Sequence, residues 1–213
     1  MSSPVIAPDV AAWLKGIAAL EGDAILDEMH QLAARADFPI VGPEVGRLLA
    51  QVTTMLGASR IFEMGSGFGY STLFFARAVG PEGRVYHTDG DPKNTELARD
   101  FLTRAGVADR VEFLTGDARE LLEQTSGDFD IVFCDIDKEQ YPSARAIFRD
   151  RVRVGGAVII DNLIWSGRIA REETDPTDDG IRQYIAEMWA DPDFLSSLLP
   201  IRDGVGLSLR LAK

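Results

Sequence analysis

The chain has 213 residues, 46% apolar and 26% charged, which suits one globular domain and excludes wholesale disorder. Its net charge of −12 disfavours nucleic acid or an anionic membrane as the main partner. One cysteine and two histidines exclude an internal disulfide and a zinc site rich in those residues. The chain shows neither a targeting signal nor an apolar stretch of about 18 residues, so we expect a cytoplasmic protein.

The first part of the chain has the periodicity of helices. Residues 8–36 predict two helices, because apolar residues such as Trp13 and Ile17 recur at helical spacing. A third helix is predicted over 44–56, with Met55 among its inward-facing apolar residues. These helices precede the first predicted strand and form an α-rich start to the chain.

From residue 60 onward, short apolar strands alternate with helices. The predicted strands are 60–64, 84–88, 110–114, 129–134 and 157–160, and the predicted helices are 71–79, 94–105, 141–152 and 181–190. Two late apolar runs, 194–201 and 205–211, predict a hairpin at the sheet edge. This order predicts an α/β, Rossmann-like fold: a seven-stranded, mostly parallel sheet with helices on both faces, an antiparallel C-terminal hairpin and an N-terminal helical extension.

Four predicted strands end in or next to an aspartate, namely Asp89, Asp117, Asp135 and Asp161. Ligands of open α/β sheets bind beyond the carboxyl ends of the strands. Aspartate is also common in turns, which explains one such position better than all four together. The pattern therefore predicts a ligand site at this edge of the sheet.

A glycine-rich loop, FEMGSGFGYS at residues 62–71, follows a predicted strand and opens a helix. Glycines there let a ligand approach the backbone closely. Tyr70 stands where the dinucleotide fingerprint has glycine or alanine, which disfavours a pyrophosphate-binding loop. Asp89 ends the next strand and suits the hydroxyl groups of a ribose. Together these features indicate a cofactor of the nucleoside type.

The same loop resembles the first motif of class I S-adenosylmethionine-dependent methyltransferases. More narrowly, it is similar to cation-dependent O-methyltransferases, the family of catechol and caffeoyl-CoA O-methyltransferases. The resemblance covers about residues 38–212 and implies one methyltransferase domain over 1–213, with 1–37 as an extension and 38–213 as the catalytic core. It implies that S-adenosylmethionine contacts Val41, Glu63, Gly65, Ser66, Gly67, Ser71, Asp89, Asp117, Ala118 and Asp135.

Asp135 ends one predicted strand, and Asp161 and Asn162 end the next. If these strands are neighbours, two carboxylates and one amide oxygen converge, a ligand set that suits Mg²⁺, Mn²⁺ or Ca²⁺. Two ordinary strand-end turns explain the spacing equally well. The segments 133–141 and 160–165 resemble the metal-binding motifs of the family, which implies Asp135, Asp161 and Asn162 as ligands and Mg²⁺ as the first expectation.

Lys138 is the candidate catalytic base. Only four of the 22 basic residues are lysines, and arginine cannot lose its proton in a protein. By the resemblance, Lys138 takes a proton from a substrate hydroxyl that lies beside the cation. A solvated surface charge is the alternative. Asp137 competes with Asp135 by spacing alone, and the family pattern favours Asp135.

Trp165 follows the predicted metal ligands and either stacks on an aromatic substrate or caps the core. Arg168 and Arg171 either meet an acidic substrate or belong to a solvated run of charges. Other residues near these motifs are expected to have structural positions: His30 on a helix surface, and Tyr70, His87, Cys134 and Tyr141 in packing.

The resemblance implies methyl transfer to a hydroxyl of a catechol-type small molecule, such as a caffeoyl- or flavonoid-like compound, by a homodimer that needs no membrane. One alternative is a tRNA hydroxyuridine methyltransferase, which the net charge of −12 and the absence of a lysine-rich patch disfavour. A second is a nicotinamide-dependent oxidoreductase, which lacks support because no hydride-transfer site is recognisable.

Overall fold

A computed structural model of the protein describes residues 7–18, 22–172 and 175–212. The helices are α1 (Pro8–Ala18), α2 (Ala24–Ala36), α3 (Gly42–Met55), α4 (Tyr70–Ala78), α5 (Pro92–Arg104), α6 (Ala118–Gln124), α7 (Tyr141–Phe148) and α8 (Pro176–Ala190). The strands are β1 (Arg60–Met64), β2 (Arg84–Asp89), β3 (Val111–Thr115), β4 (Phe129–Cys134), β5 (Val152–Ile160), β6 (Phe194–Leu199) and β7 (Val205–Arg210).

The seven strands form one sheet in the order β3-β2-β1-β4-β5-β7-β6. Strands β1 to β5 pair in parallel, whereas β7 runs antiparallel to both β5 and β6. The predicted fold class is therefore confirmed. The strand order reverses between β1 and β4, and such a reversal opens a crevice at the carboxyl ends of the strands.

Helices cover both faces of the sheet, and each face has its own core. Successive side chains of β1 point to opposite faces, so Ile61 packs with α3 and α4, whereas Phe62 packs with α6 and α7. A strand buried on both sides must be apolar almost throughout. Glu63 is the exception, since this carboxylate is fully buried within the strand.

The structure corrects three predicted boundaries, one of which is the start of α8, which lies at Pro176 instead of residue 181. Helix α7 ends at Phe148 and β5 begins at Val152, so the predicted helix over 141–152 is too long and the predicted strand over 157–160 is too short. Gly156 lies within β5, where a Cβ would be 2.6 Å from the Asp130 carbonyl, and the β4–β5 register shifts nearby. The glycines of this segment mark a close approach of two strands.

Helix α6 was not predicted, although Asp117 caps it by accepting a hydrogen bond from the Arg119 N–H. Met55, which the periodicity placed on an inner face, is instead 84% exposed, and Trp13 and Ile17 of α1 are 64% and 59% exposed. Among the residues that the structure describes, no helix is long and apolar enough to span a membrane. The division of the chain at residue 37 stays a prediction.

Candidate active site

A cavity of about 510 Å³ lies at the carboxyl ends of β1, β2, β4 and β5, where the strand order reverses. The predicted site residues that line it are Val41, Gly65, Ser66, Gly67, Ser71, Asp89, Asp117, Ala118, Asp135, Lys138, Asp161, Asn162 and Trp165. Glu63 does not line the cavity and lies buried in β1 just before the glycine loop. The structure thus gathers residues that are up to 124 positions apart in the chain around one space.

The glycine loop passes close to the end of β4. Gly65 has a φ of 79°, and a Cβ there would lie 2.5 Å from the Asp135 carbonyl oxygen. Glycine alone tolerates both the left-handed backbone and this approach. The next loop glycine, Gly67, donates its N–H to Asp89 Oδ2 at 2.9 Å. The loop is therefore anchored to two strand ends, one on each side of β1.

Asp89 is held in a defined orientation at the end of β2. Its carboxylate accepts hydrogen bonds from the N–H groups of Gly67 and Asp91, at 2.9 and 2.8 Å, and from Asn94 Nδ2 at 3.0 Å. A carboxylate has about four lone-pair positions, so these contacts leave capacity for a ligand hydroxyl. This network was not predicted, because the sequence shows only that Asp89 ends a strand.

Glu63 forms a buried polar network with Thr72 and His87. Thr72 Oγ1 donates to Glu63 Oε2 at 2.5 Å, which leaves His87 Nδ1, 3.1 Å from the same hydroxyl, to act as the donor to Thr72. Burial raises the pKa of Glu63 to about 7, although hydrogen bonds from neighbouring hydroxyls oppose the shift. Within the described residues Glu63 Oε1 has no hydrogen-bond partner, so this carboxylate retains capacity for a cationic group.

Asp117 has a different environment from the other strand-end aspartates. It caps α6, and its carboxylate pairs with the Arg119 guanidinium at 2.6 Å. The Arg119 hydrogen bonds lower the pKa of Asp117 to about 2. Because Arg119 already engages this carboxylate, the adjacent Ala118 and the backbone offer the freer contacts to a ligand.

Asp135 and Asp161 lie side by side because β4 and β5 are paired neighbours, with Cys134 opposite Ile160. The predicted metal site requires these two strands to be neighbours, and they are. Asp161 is only 4% exposed, and burial together with the negative charge of Asp135 raises its pKa. Its Oδ1 atom is buried and has no hydrogen-bond partner among the described residues. A cation would satisfy this oxygen, so the donor set fits a divalent ion.

Asn162 supplies the third predicted oxygen and has a left-handed backbone, with a φ of 62°. Asparagine tolerates this conformation better than most residues. Across the described parts of the chain, no three His, Cys, Asp or Glu side chains gather closely enough to hold a metal ion. An ion at this place would therefore depend on the amide of Asn162 in addition to the two carboxylates.

Lys138 lies at the centre of this end of the cavity. Its Nζ donates to Asp135 Oδ1 at 2.7 Å and to the Ile136 carbonyl at 3.1 Å. The same nitrogen is 5.7 Å from the centre of the Trp165 ring and 5.6 Å from that of Tyr141. Lys138 is thus not a solvated surface charge, since its ammonium is held between a carboxylate and two aromatic rings.

The segment after Asn162 has an unusual backbone. Trp165 and Ser166 have φ values of 47° and 53°, a conformation that costs energy for residues other than glycine and concentrates at functional sites. Arg168, farther along, pairs with two aspartates of the α8 N-terminus, including Asp178 at 3.0 Å. The Arg168 guanidinium therefore has partners within the protein.

Comparison with known proteins decides the family. The family profile described as O-methyltransferase matches residues 17–211 of this chain. The chain belongs to the S-adenosylmethionine-dependent O-methyltransferases. It is 35% identical over 188 residues to a catechol O-methyltransferase of Mycobacterium tuberculosis, covering 87% of this chain and 85% of that protein. It is 29% identical over 205 residues to caffeoyl-CoA O-methyltransferase 1 of Eucalyptus globulus, covering 88% of this chain and 82% of that protein.

A solved structure supports the same assignment. An O-methyltransferase from Bacillus cereus in complex with SAH superimposes with a TM-score of 0.85 and is 29% identical, covering 95% of this chain and 97% of that one. The predicted family is thus confirmed, and the nicotinamide-dependent alternative is wrong. This O-methyltransferase has the fold and the strand-end cavity of its class.

Several cavity residues of this O-methyltransferase were not singled out as site residues from sequence. Phe38 and Pro39 line the cavity, and the Phe38 ring packs 5.0 Å from that of Phe68 in the glycine loop. They carry no motif of their own, and a proline after an aromatic residue predicts only the end of a helix. Their role emerges only when α2 and α3 are placed beside the loop.

The residues expected to pack do so, with one addition. Tyr141 is fully buried and its hydroxyl donates to the Asp161 carbonyl at 2.9 Å. Cys134 is buried, and burial raises the pKa of its thiol to about 12, which makes it a poor nucleophile. His30 is half-buried, and its Nε2 lies 2.9 Å from the Tyr70 hydroxyl, so it links α2 to the glycine loop.

Proposed function

We propose that this O-methyltransferase transfers a methyl group from S-adenosylmethionine to one hydroxyl of a vicinal dihydroxy aromatic, with the help of a divalent cation. The observation that carries the proposal is that Asp135, Asp161, Lys138 and Trp165 line the same cavity as the glycine loop, with Lys138 Nζ 2.7 Å from Asp135 Oδ1. The names of the relatives, a catechol and a caffeoyl-CoA O-methyltransferase, point to the same acceptor class.

We propose that the methyl donor lies along the glycine loop. Its contacts would come from Val41, Glu63, Gly65, Ser66, Gly67, Ser71, Asp89, Asp117, Ala118 and Asp135. Asp89 would accept hydrogen bonds from ribose hydroxyls, because its carboxylate is oriented by the loop itself. When bound, S-adenosylmethionine supplies a methyl group on a positively charged sulfur. Asp135 and Glu63 supply negative charge near this cation.

We propose Asp135, Asp161 and Asn162 as ligands of a divalent cation. Mg²⁺ is the first choice, and Mn²⁺ or Ca²⁺ suits the same oxygen donors. When bound, the cation would lower the pKa of an adjacent substrate hydroxyl. Asp161 Oδ1, which is buried and has no hydrogen-bond partner in the described part of the chain, supports this assignment.

Lys138 is the proposed general base, with Nζ as the atom that takes the proton from the acceptor hydroxyl. An amine accepts a proton only when it is neutral, and in this structure the ammonium pairs with Asp135 at 2.7 Å. Lys138 shares that carboxylate with the proposed cation, which would compete with the ammonium for it when bound. Trp165, within 6 Å of Nζ, is the proposed stacking surface for the aromatic ring.

A panel of acceptors with labelled S-adenosylmethionine tests the proposal. We expect methyl transfer to catechol, caffeic acid esters and flavonoids with adjacent hydroxyls, and at least tenfold less to the matched 1,3-dihydroxy and monohydroxy compounds. This follows because only adjacent oxygens can share one cation. Equal rates with resorcinol and catechol would contradict the proposal, and transfer to tRNA alone would establish the alternative acceptor.

We also propose that the protein is a homodimer. The exposed apolar residues of α1, Val10, Trp13 and Ile17, recur at helical spacing and so form one stripe. Light scattering after size exclusion should give twice the mass of 23.3 kDa. The double variant Trp13→Lys/Ile17→Lys should give a monomer if the stripe is the interface, whereas a dimer of unchanged affinity would exclude it.

A further inference from the structure

The turn between β6 and β7 contains an arginine in a strained conformation. Arg202 has a φ of 50°, which side-chain-bearing residues other than asparagine and aspartate rarely adopt. Such strain persists only when surrounding contacts hold it. The contacts of the Arg202 side chain therefore identify the interaction that holds the backbone in this strained conformation.

The Arg202 guanidinium reaches across to the segment before α3. Its Nη1 donates to the Ile40 carbonyl at 2.8 Å. Gly42 follows with a φ of 76°, and a Cβ at Gly42 would lie 1.9 Å from the same Nη1. The guanidinium thus occupies the space that any other side chain at position 42 would need. Arg202 and Gly42, which both have an unusual backbone conformation and lie 160 residues apart in the sequence, therefore meet at one contact.

The segment that Arg202 holds covers the cavity. Residues 38–41 connect α2 to α3, have no regular secondary structure and all line the cavity. At one end, Phe38 is tied to α2 through its N–H and the Ala33 carbonyl, and its ring presses on Gly67, where a Cβ would lie 2.9 Å away. At the other end, nearer α3, the Ile40 carbonyl accepts the hydrogen bond from Arg202. Without the guanidinium, the α3 end of this segment would lose its tie to the C-terminal hairpin.

We propose that Arg202 is a positioning residue of the donor site, which holds residues 38–41 over S-adenosylmethionine from the opposite end of the chain. The inference rests on the proposed placement of the donor along the glycine loop. Arg202 itself would contact neither the donor nor the acceptor. It would act through the Ile40 carbonyl and the Gly42 backbone. A pre-ordered cover strengthens the binding of a ligand, because the ordering cost is already met before binding.

Two substitutions separate this role from a merely structural one. Arg202→Gly removes the guanidinium and relieves the strained backbone, whereas Arg202→Ala removes the guanidinium and keeps the strain. We expect both variants to bind S-adenosylhomocysteine about tenfold more weakly than the wild type, as measured by calorimetry. This is the size of effect expected when one charged hydrogen bond is lost. Arg202→Gly should melt no lower than the wild type, and Arg202→Lys should regain part of the affinity.

Hydrogen exchange supplies a readout that is independent of catalysis. The amides of Ile40 and Val41 should exchange faster in both variants, while those of the β1 core stay protected. Arg84→Ala is the matched control, because Arg84 also donates to a backbone carbonyl, that of Gly83 at 2.8 Å, at the far end of β2. This control should alter neither affinity nor exchange at residues 38–41.

The outcomes distinguish the inference from the proposal on which it rests. If Asp89→Ala abolishes binding of S-adenosylhomocysteine while Arg202→Gly and Arg202→Ala bind like the wild type, the role of Arg202 is wrong. If Asp89→Ala binds like the wild type, the placement of the donor is wrong. If only Arg202→Ala loses affinity, backbone strain rather than the guanidinium determines the effect, which also overturns the inference.

Discussion

At the scale of single residues, Glu63 combines a cost in stability with a proposed role in binding the methyl donor. Its pKa is about 7 in the folded protein and near 4.5 in the unfolded chain. Between these values the folded state keeps a proton that the unfolded state has lost, so its stability falls as the pH rises from about 4.5 to 7 and then levels off. The carboxylate is thus retained at a position where an uncharged residue would give a more stable protein.

Glu63→Gln tests this trade-off. Relative to the wild type, we expect the ligand-free variant to gain on the order of 1–3 kcal/mol in free energy of unfolding at pH 8, and little at pH 4.5. Binding of S-adenosylmethionine should weaken, because the negative charge is gone. Denaturant titrations at both pH values and calorimetry measure the two effects, with Glu82→Gln on the surface as control. A variant that is less stable than the wild type at pH 8 would contradict the account.

The proposed base at position 138 must be a lysine and not another basic residue. Lys138→Arg keeps a positive charge beside Asp135 but cannot act as a base, because guanidinium does not release its proton. We expect kcat to fall roughly 10²- to 10⁴-fold while the affinity for S-adenosylhomocysteine stays within twofold of the wild type. Lys93→Arg, at an exposed position, is the control and should leave kcat unchanged. A Lys138→Arg enzyme with more than a tenth of the wild-type kcat would contradict the assignment.

At the scale of elements, the β6–β7 turn contacts the segment after Asn162 as well as the segment before α3. The N–H groups of Leu163 and Ile164 donate to the carbonyls of Gly204 and Asp203, at 2.9 and 2.8 Å. The Asp203 carboxylate also accepts from the Ser166 N–H. The strained segment that contains Trp165 is therefore held by the turn in addition to its own local hydrogen bonds, such as that from the Gly167 N–H to the Ile164 carbonyl at 2.9 Å.

Gly204→Ala tests this support. Gly204 has a φ of 91°, and a Cβ would lie 2.4 Å from Ile164 Cγ1, so the variant must strain the turn and displace the adjoining segment. We expect a loss of about 1–3 kcal/mol in free energy of unfolding and a lower kcat. Gly16→Ala, in helix α1 with open space around it, should instead raise stability by about 0.5–1 kcal/mol. Unchanged stability of Gly204→Ala would exclude a supporting role for the turn.

Some elements were predictable from sequence and others were not, for physical reasons. The strands β1 and β4 are short, mostly apolar runs that Gly65 and Asp135 follow, and β2 ends in Asp89, so the sequence pattern locates these strands to within about a residue. The start of β5 was missed because Gly155 and Gly156 look like a turn, whereas they permit close contact between strands. Helix α6 was missed because seven residues are too few for a clear period.

At the scale of the whole molecule, the acidic residues divide into two groups. Most of the excess behind the net charge of −12 lies on the surface, whereas Asp89, Asp135 and Asp161 meet at the carboxyl edge of the sheet. This convergence was predictable, because parallel strands present their carboxyl ends at one edge. The family resemblance implied Val41 at this edge, but the contribution of Phe38, Pro39 and Arg202 was not predictable, because it depends on which distant segments the fold brings over that edge.

We propose that methyl transfer by this protein depends on a cation held by Asp135, Asp161 and Asn162. Removal of the cation by a chelator tests this dependence. After EDTA treatment and metal analysis, we expect transfer to catechol to fall on the order of 100-fold or more and to return when Mg²⁺ is added. Binding of S-adenosylhomocysteine should persist throughout, and Asp161→Asn should not recover with Mg²⁺. Full activity in a preparation shown to be free of metal would contradict the account.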